Sequence, residues 1–241
     1  MERIKVIAFD ADDTLWVNEP YYQDAEKSFC KLLENYLPEK EISSELFKTE
    51  MDNLEKYGYG AKSFMLSMVE TAIRISKRKV SAETIETIIN MGKSLLEKPI
   101  ELLDEIEFLL NNLKSKYCLI VATKGDLIDQ QRKLNSSGLL HHFNHIEIMY
   151  DKNETEFQKL INRLDIKNEE FLMVGNSLKS DILPVLSIGG QAVYIPYHIT
   201  WQHETAKIDS VFEQYREISK LTELLNILPK TISNNENTGN I

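Results

Sequence analysis

The sequence predicts an α/β fold, a doubly wound parallel sheet interrupted by an inserted α-helical domain. Three observations carry that prediction. Five short apolar runs rich in β-branched residues recur along the chain, at 4–9, 118–122, 146–149, 171–174 and 192–195. Helical patterns lie between the later runs, and strands alternating with helices build a parallel sheet. The long interval from about 19 to 99 holds helical periodicity and no strand pattern. The expected organisation is therefore a core of residues 1–18 and 99–230, a helical domain over 19–98, and a mobile tail over 231–241.

The first run, IKVIAF, ends at Asp10 and reads as a buried strand with acids at its carboxyl end. Four amphipathic helices follow in the insert. Phe29, Leu32, Leu33 and Tyr36 share one face, and Phe47, Met51 and Leu54 a second. Phe64, Met65, Met68, Ala72 and Ile75 mark the third. Ile85, Ile88, Ile89, Leu95 and Leu96 mark the fourth, with Ser81 as N-cap and Pro99 beyond its end. Such stripes are the seams of a helix bundle. A fifth helix, over 102–114, leads into the strand CLIVA, and a sixth, over 126–137, is closed by Gly138. The terminal TISNNENTGNI is polar and Asn-rich, a composition that cannot pack.

Bulk properties narrow the function. Hydrophobic content of 42% is ordinary for a globular chain, and no apolar stretch approaches a membrane span. The start has none of the layout of a signal peptide, so a cytoplasmic location is expected. The two cysteines, Cys30 and Cys118, are expected to be reduced core thiols, and the five histidines have no cysteine partners at zinc-site spacing. With 38 Asp+Glu against 28 Lys+Arg, the net charge of −10 repels nucleic acid and every other phosphate compound. Phosphate chemistry here requires a strong local positive source.

Ligands of open parallel sheets bind beyond the carboxyl ends of the strands. Those ends deliver Asp10 and Asp12, then Thr123 and Lys124, then Lys152, then Asn176 and Asp181. In an extended chain Asp10 and Asp12 project to one side, and two carboxylates sharing a small volume call for a cation, of which Mg²⁺ suits hard oxygen ligands. Asn176 and Asp181 can complete the oxygen shell. Asp13 faces elsewhere and serves the turn with Thr14. Thr123, Lys124 and Gly125 open a helix whose N–H groups favour an anion. Lys152 supplies the missing positive charge.

Written out, DADDTLW (10–16), VATKGD (121–126), DKNETEF (151–157) and GNSLKSD (175–181) resemble, in order and spacing, the four motifs of the haloacid dehalogenase superfamily. The likeness spans about 4 to 196 and implies a Rossmann-like core, and the helical insert looks like the family's type 1 cap. The resemblance implies a role for each matched residue. Asp10 matches the nucleophile that forms an aspartyl-phosphate, and Asp12 the general acid and base. Thr123 matches the phosphate-binding hydroxyl, and Lys152 the neutralising cation. Asn176 and Asp181 match the Mg²⁺-binding motif, to which the nucleophile and the carbonyl of Asp12 also contribute. Three positions depart from the pattern: Asn176 where an acid is common, Lys124 where Asn is common, and Asn153 where Pro is common. Lys159 competes with Lys152 but falls within a helical stretch.

The expected function is hydrolysis of a small phosphomonoester, with no nucleic-acid or membrane partner. The alternatives are a phosphomutase, a dehalogenase of the same fold, phosphonate hydrolysis, and a silent sensor of a phosphorylated metabolite. Dehalogenases of this type lack an Asp two residues after the nucleophile, and a silent relative has no need of both aspartates. Tyr21 and Tyr22 open the first cap helix, where packing is the expected role. For the segment PYHITWQHE (196–204), specificity and packing of Trp201 against the sheet edge both stay open.

Overall fold

The computed structural model describes residues 3–208 and 212–229, so the expected tail at 231–241 lies outside the described residues. Six strands form one parallel sheet: β1 (Val6–Phe9), β2 (Cys118–Lys124), β3 (His145–Met149), β4 (Phe171–Gly175), β5 (Gln191–Tyr194) and β6 (Tyr215–Glu217), in the order β3-β2-β1-β4-β5-β6. The strand order reverses at β1, which pairs with β2 on one side and β4 on the other. That switch point opens a crevice at the end of β1. β6 is an edge strand of three residues, Tyr-Arg-Glu, too short and polar to register as a strand pattern.

Between β1 and β2 lie α1 (Glu19–Leu32), α2 (Glu39–Tyr57), α3 (Ala61–Ile75), α4 (Ala82–Leu96) and α5 (Ile106–Leu113). The first four bury Phe29, Leu33, Ile42, Leu46, Met68 and Ile88 in an apolar cluster of their own. Ser81 caps α4 as expected, accepting from the Thr84 amide at 3.1 Å. Two expectations are corrected. The buried face of α2 is Ile42, Leu46, Thr49 and Asn53, one to two positions off the Phe47, Met51 and Leu54 stripe. Its polar members are satisfied across the seam to α3, with Thr71 donating to Thr49 at 2.8 Å and Asn53 to Ser67 at 3.2 Å. Hydrophobicity alone does not register such a face. The fifth helix begins at Ile106 rather than 102, because residues 101–103 run antiparallel to 15–17: Val17 donates to Glu101 at 2.9 Å and Leu103 to Leu15 at 2.9 Å. The segments entering and leaving the insert therefore lie side by side.

After β2 come α6 (Leu127–Ser136) and α7 (Glu154–Arg163), a π-helical turn at Leu178–Ile182 that leads into α8 (Leu183–Ser187), and α9 (Leu224–Ile227). The two faces of the sheet bury separate clusters, one including Ile7, Phe9, Leu119, Val121 and Leu172, the other Val6, Ala8, Ile120, Phe157 and Met173. No described helix is long and apolar enough to cross a membrane. Cys30 is buried in the helical cluster, Cys118 is half-buried at the start of β2, and both are free thiols.

Candidate active site

β1 is fully buried and delivers Asp10 at the switch point, where the Asp10 amide donates to the Val174 carbonyl at 2.9 Å. Asp13 follows at φ 60°, a left-handed turn that aims its carboxylate at α1. It accepts from the amides of Asn18 at 2.8 Å and Glu19 at 2.9 Å, so it satisfies the start of α1 in place of a local cap. Thr14 donates to Asp10 at 3.1 Å.

Lys152 lies between β3 and α7, is 4% exposed, and donates to Asp10 and, at 2.6 Å, to Asp181. Asn153, the departure from Pro, has its own task as N-cap of α7, accepting from Glu156 at 3.1 Å. Lys159 stands on the exposed face of α7, paired with Glu156. Asp181 is held by the Ser177 amide at 2.9 Å and packs over Gly175, where a Cβ would stand 2.2 Å from its Oδ2.

Beside Asp10 the Asn176 amide, turned so that its nitrogen faces them, donates to Asp10 Oδ2 at 3.2 Å, the Asp12 carbonyl at 3.3 Å and Thr14 Oγ1 at 3.2 Å. The carboxylate, amide and backbone oxygens gathered there have the hard-donor chemistry that suits Mg²⁺. Among the described residues no three Asp, Glu, His or Cys side chains gather at metal-binding distance, so such a site draws on Asn176 and the Asp12 carbonyl beside the carboxylates of Asp10 and Asp181.

β2 runs two residues past its expected end and includes Thr123 and Lys124. The Thr123 hydroxyl accepts from Gln130 Nε2 at 2.7 Å. The α6 N-terminus is less open to an anion than expected, since Asp126 caps it by accepting from the Asp129 amide at 3.0 Å and pairs with Lys62 of α3 at 2.9 Å. Lys124 turns to Ser180, at 2.8 Å, and to Glu204. These side chains line a cavity of about 180 Å³ between the strand ends and the helical insert.

A family model for haloacid dehalogenase-like hydrolases matches residues 4–189. The chain belongs to that family. A haloacid dehalogenase-like family hydrolase from Xanthomonas campestris superposes with a TM-score of 0.83 at 35% identity, covering 92% of this chain and 89% of the other. A magnesium-bound hydrolase from Bacillus subtilis, at 20% identity and a TM-score of 0.64 over 94% and 99% of the two chains, shares the fold. In sequence the chain is 25% identical to a glyceraldehyde 3-phosphate phosphatase of Pyrococcus furiosus, over 95% of each. It is 26% identical to one of Methanothermobacter thermautotrophicus, over 82% of this chain and 88% of the relative.

In this hydrolase Asp12 has three partners that carried no expected role. Trp16 Nε1 donates to it at 2.7 Å, Lys133 Nζ at 3.0 Å to each carboxylate oxygen, and Gln130 at 3.3 Å. Gln130 and Lys133 are buried and stand three apart on one face of α6; that spacing on the helix following Thr123 was the signal available. Glu204, inside the aromatic segment, was also missed: it accepts from Lys124, Ser177 and Ser180, the last at 2.6 Å. In that segment Trp201 lines the cavity edge-on to Tyr59, while His198 is exposed. Tyr22 lines the cavity, and Tyr21 packs away from it beneath Lys98.

Burial sets the electrostatics. It pushes the Asp10 carboxyl up to about 7, against the pull of Lys152 and with the push of Asp181. Burial alone would lower the Lys152 ammonium, but Asp10 and Asp181 outweigh it and hold it above the ordinary lysine value. Glu204 moves the other way, to about 2: burial opposes the shift, and Lys124 and the two serines overcome it.

Proposed function

We propose that this hydrolase is a Mg²⁺-dependent phosphatase of small phosphomonoesters, working through an aspartyl-phosphate on Asp10. The observation that carries the reading is the placement of two carboxylates at one cavity with different partners. Asp10 is pinned by Lys152 and Thr14, and Asp12 by Lys133, Trp16 and Gln130. Asp10 attacks phosphorus, Asp12 protonates the leaving oxygen, and Asp12 then takes a proton from the water that attacks the acyl phosphate. A halide leaving group needs no such proton, so Asp12 favours phosphate esters over displacement at carbon.

Thr123 donates to a phosphoryl oxygen while Gln130 holds its hydroxyl, and Lys152 balances the charge that accumulates as Asp10 attacks. Lys124 and Gly125 line the same cavity. Asp10, the Asp12 carbonyl, Asn176 and Asp181 would hold Mg²⁺, which would supply charge neutralisation to nucleophile and phosphate. Residues 19–98 act as a cap that excludes water and limits substrate size. The relatives named as glyceraldehyde 3-phosphate phosphatases support a small phosphorylated metabolite as substrate. The test is phosphate release from a panel of phosphorylated metabolites with Mg²⁺ or chelator, with Asp10→Asn alongside. Release from some compound that needs both Mg²⁺ and Asp10 is expected; release unchanged in Asp10→Asn would overturn the assignment of the nucleophile.

A further inference from the structure

Asp181 is carried by an uncommon piece of backbone. Residues Leu178–Ile182 form a π-helical turn, in which the amides of Asp181, at 2.9 Å, and Ile182, at 3.2 Å, both donate to the Ser177 carbonyl. Such turns are rare and occur mostly singly, and one turn alone gains too few bonds to hold its own shape. The position of Asp181 therefore depends on what grips the turn from outside.

That grip comes from Glu204. Its Oε2 accepts from the hydroxyls of Ser177 and Ser180, the latter at 2.6 Å, and its Oε1 accepts from Lys124. The two serines stand three apart and face the same way, and the Ser177 hydroxyl in turn accepts from the Ser180 amide at 3.0 Å. Lys124 adds a second link by donating to Ser180 at 2.8 Å. The Ser177 amide is the group that holds Asp181 Oδ2, at 2.9 Å. Glu204 is thus two bonds from a carboxylate at the centre of the site.

The contact is strong for a physical reason. Burial opposes the charge on Glu204, but Lys124 and the two serines outweigh it and hold the carboxyl down at about 2, so Glu204 is ionised throughout the neutral range. Hydrogen bonds to an ionised acceptor are roughly twice as strong as neutral ones. Tyr59, in the loop between α2 and α3, covers the pair from the insert, its ring centroid 4.1 Å from Lys124 Nζ.

We infer that Glu204 is a positioning residue for the metal loop: through Ser177 and Ser180 it fixes the turn that presents Asp181, and so sets the affinity of the site for a divalent cation. This rests on the metal site of the phosphatase reading and deepens it. Both Glu204 oxygens are engaged by Lys124 and the serines, so it acts through them.

The experiment measures Mn²⁺ binding to the full chain, with the free ion counted by electron paramagnetic resonance, because Mn²⁺ accepts the same oxygen donors as Mg²⁺. The Mg²⁺ concentration for half-maximal phosphate release from p-nitrophenyl phosphate is read alongside. Glu204→Ala is expected to weaken Mn²⁺ binding by about tenfold or more and to raise the Mg²⁺ requirement in step. Ser180→Ala, which removes one contact and no charge, shifts both in the same direction by less. Glu204→Ala combined with Lys124→Met keeps the net charge of the parent chain, and the loss persists in it because the serines remain unheld. Recovery of the parent affinity in that double variant would assign the effect to the freed lysine charge and overturn the inference. Unchanged Mn²⁺ affinity in Glu204→Ala overturns it as well, and leaves the phosphatase reading intact. If Glu204→Ala does not fold, Ser177→Ala and Ser180→Ala decide, with unchanged affinity in both overturning it. A parent chain that binds no Mn²⁺ removes the metal site itself, and the inference with it.

Discussion

Lys133 donates to both carboxylate oxygens of Asp12, at 3.0 Å each, and in the same position donates to Asn18 at 2.8 Å. One ammonium therefore ties the proton-transfer carboxylate to α6 and to the residue that precedes α1. Replacing Lys133 by Met leaves Asp12 with Trp16 and Gln130 but without a balancing charge. We expect kcat to fall by about tenfold to a hundredfold with a smaller change in KM, because the group lost acts through Asp12. Steady-state kinetics on any accepted substrate checks this, and an unchanged kcat would show that Trp16 and Gln130 suffice.

Gly175 is the only residue type that fits under Asp181, since an added Cβ would stand 2.2 Å from Oδ2 and 2.4 Å from Cγ. Gly175→Ala must displace the carboxylate that Lys152 and the Ser177 amide hold. The expected result is a loss of roughly 1 to 3 kcal/mol of stability from overpacking, together with a higher Mg²⁺ requirement for activity. Denaturant unfolding and a metal titration of the rate read the two effects separately.

Glu204 and Lys124 form a largely buried pair, with 12% and 14% of their side chains exposed. Glu204→Gln leaves the lysine unbalanced, at a cost of roughly 3 kcal/mol and a fall in melting midpoint on the order of 10 °C. Adding Lys124→Met should recover part of that loss, since no charge is then left unpaired. A double variant no more stable than Glu204→Gln would assign the loss to the two serine contacts instead.

The raised carboxyls make stability depend on pH in a definite direction. Asp10 and Asp13 are pushed to about 7 and Glu19 and Glu50 to about 8, all chiefly by burial. Above the ordinary carboxylate range the folded protein therefore binds more protons than the unfolded chain. Stability is fullest near pH 4 and is lost as pH rises through about 8. Glu204 has the opposite sign, but its window lies below, from about 2 to the ordinary glutamate value. A melting midpoint in chelator should fall between pH 5 and pH 8, and Mg²⁺ should restore part of it at the upper end by offsetting Asp10. A midpoint that rises over that range would contradict the assignment.

The fold was legible in the sequence because its signals are local. Buried parallel strands read as continuous apolar runs, and the positions just beyond them carry Asp10, Thr123, Lys152, Asn176 and Asp181 whatever the packing. The helical insert was legible from the period of its apolar residues, although α2 turns a partly polar face inward, because Thr49 and Asn53 find partners on α3 and hydrophobicity does not count partners. β6 was not legible, since three polar edge residues take their strand geometry from the Ala192–Tyr194 register rather than from their own propensity.

By itself the sequence determined which chemical groups reach the rim of the sheet and in what order. Only the tertiary structure decided their partners: Lys133 and Gln130 on Asp12, and Glu204 on Lys124. These contacts join residues far apart in the chain, and such pairing depends on how α1, α2 and α6 pack over the end of β1. The Asp10 and Asp12 pair is written in one short motif, but the different environments of its two carboxylates are a property of burial and neighbours.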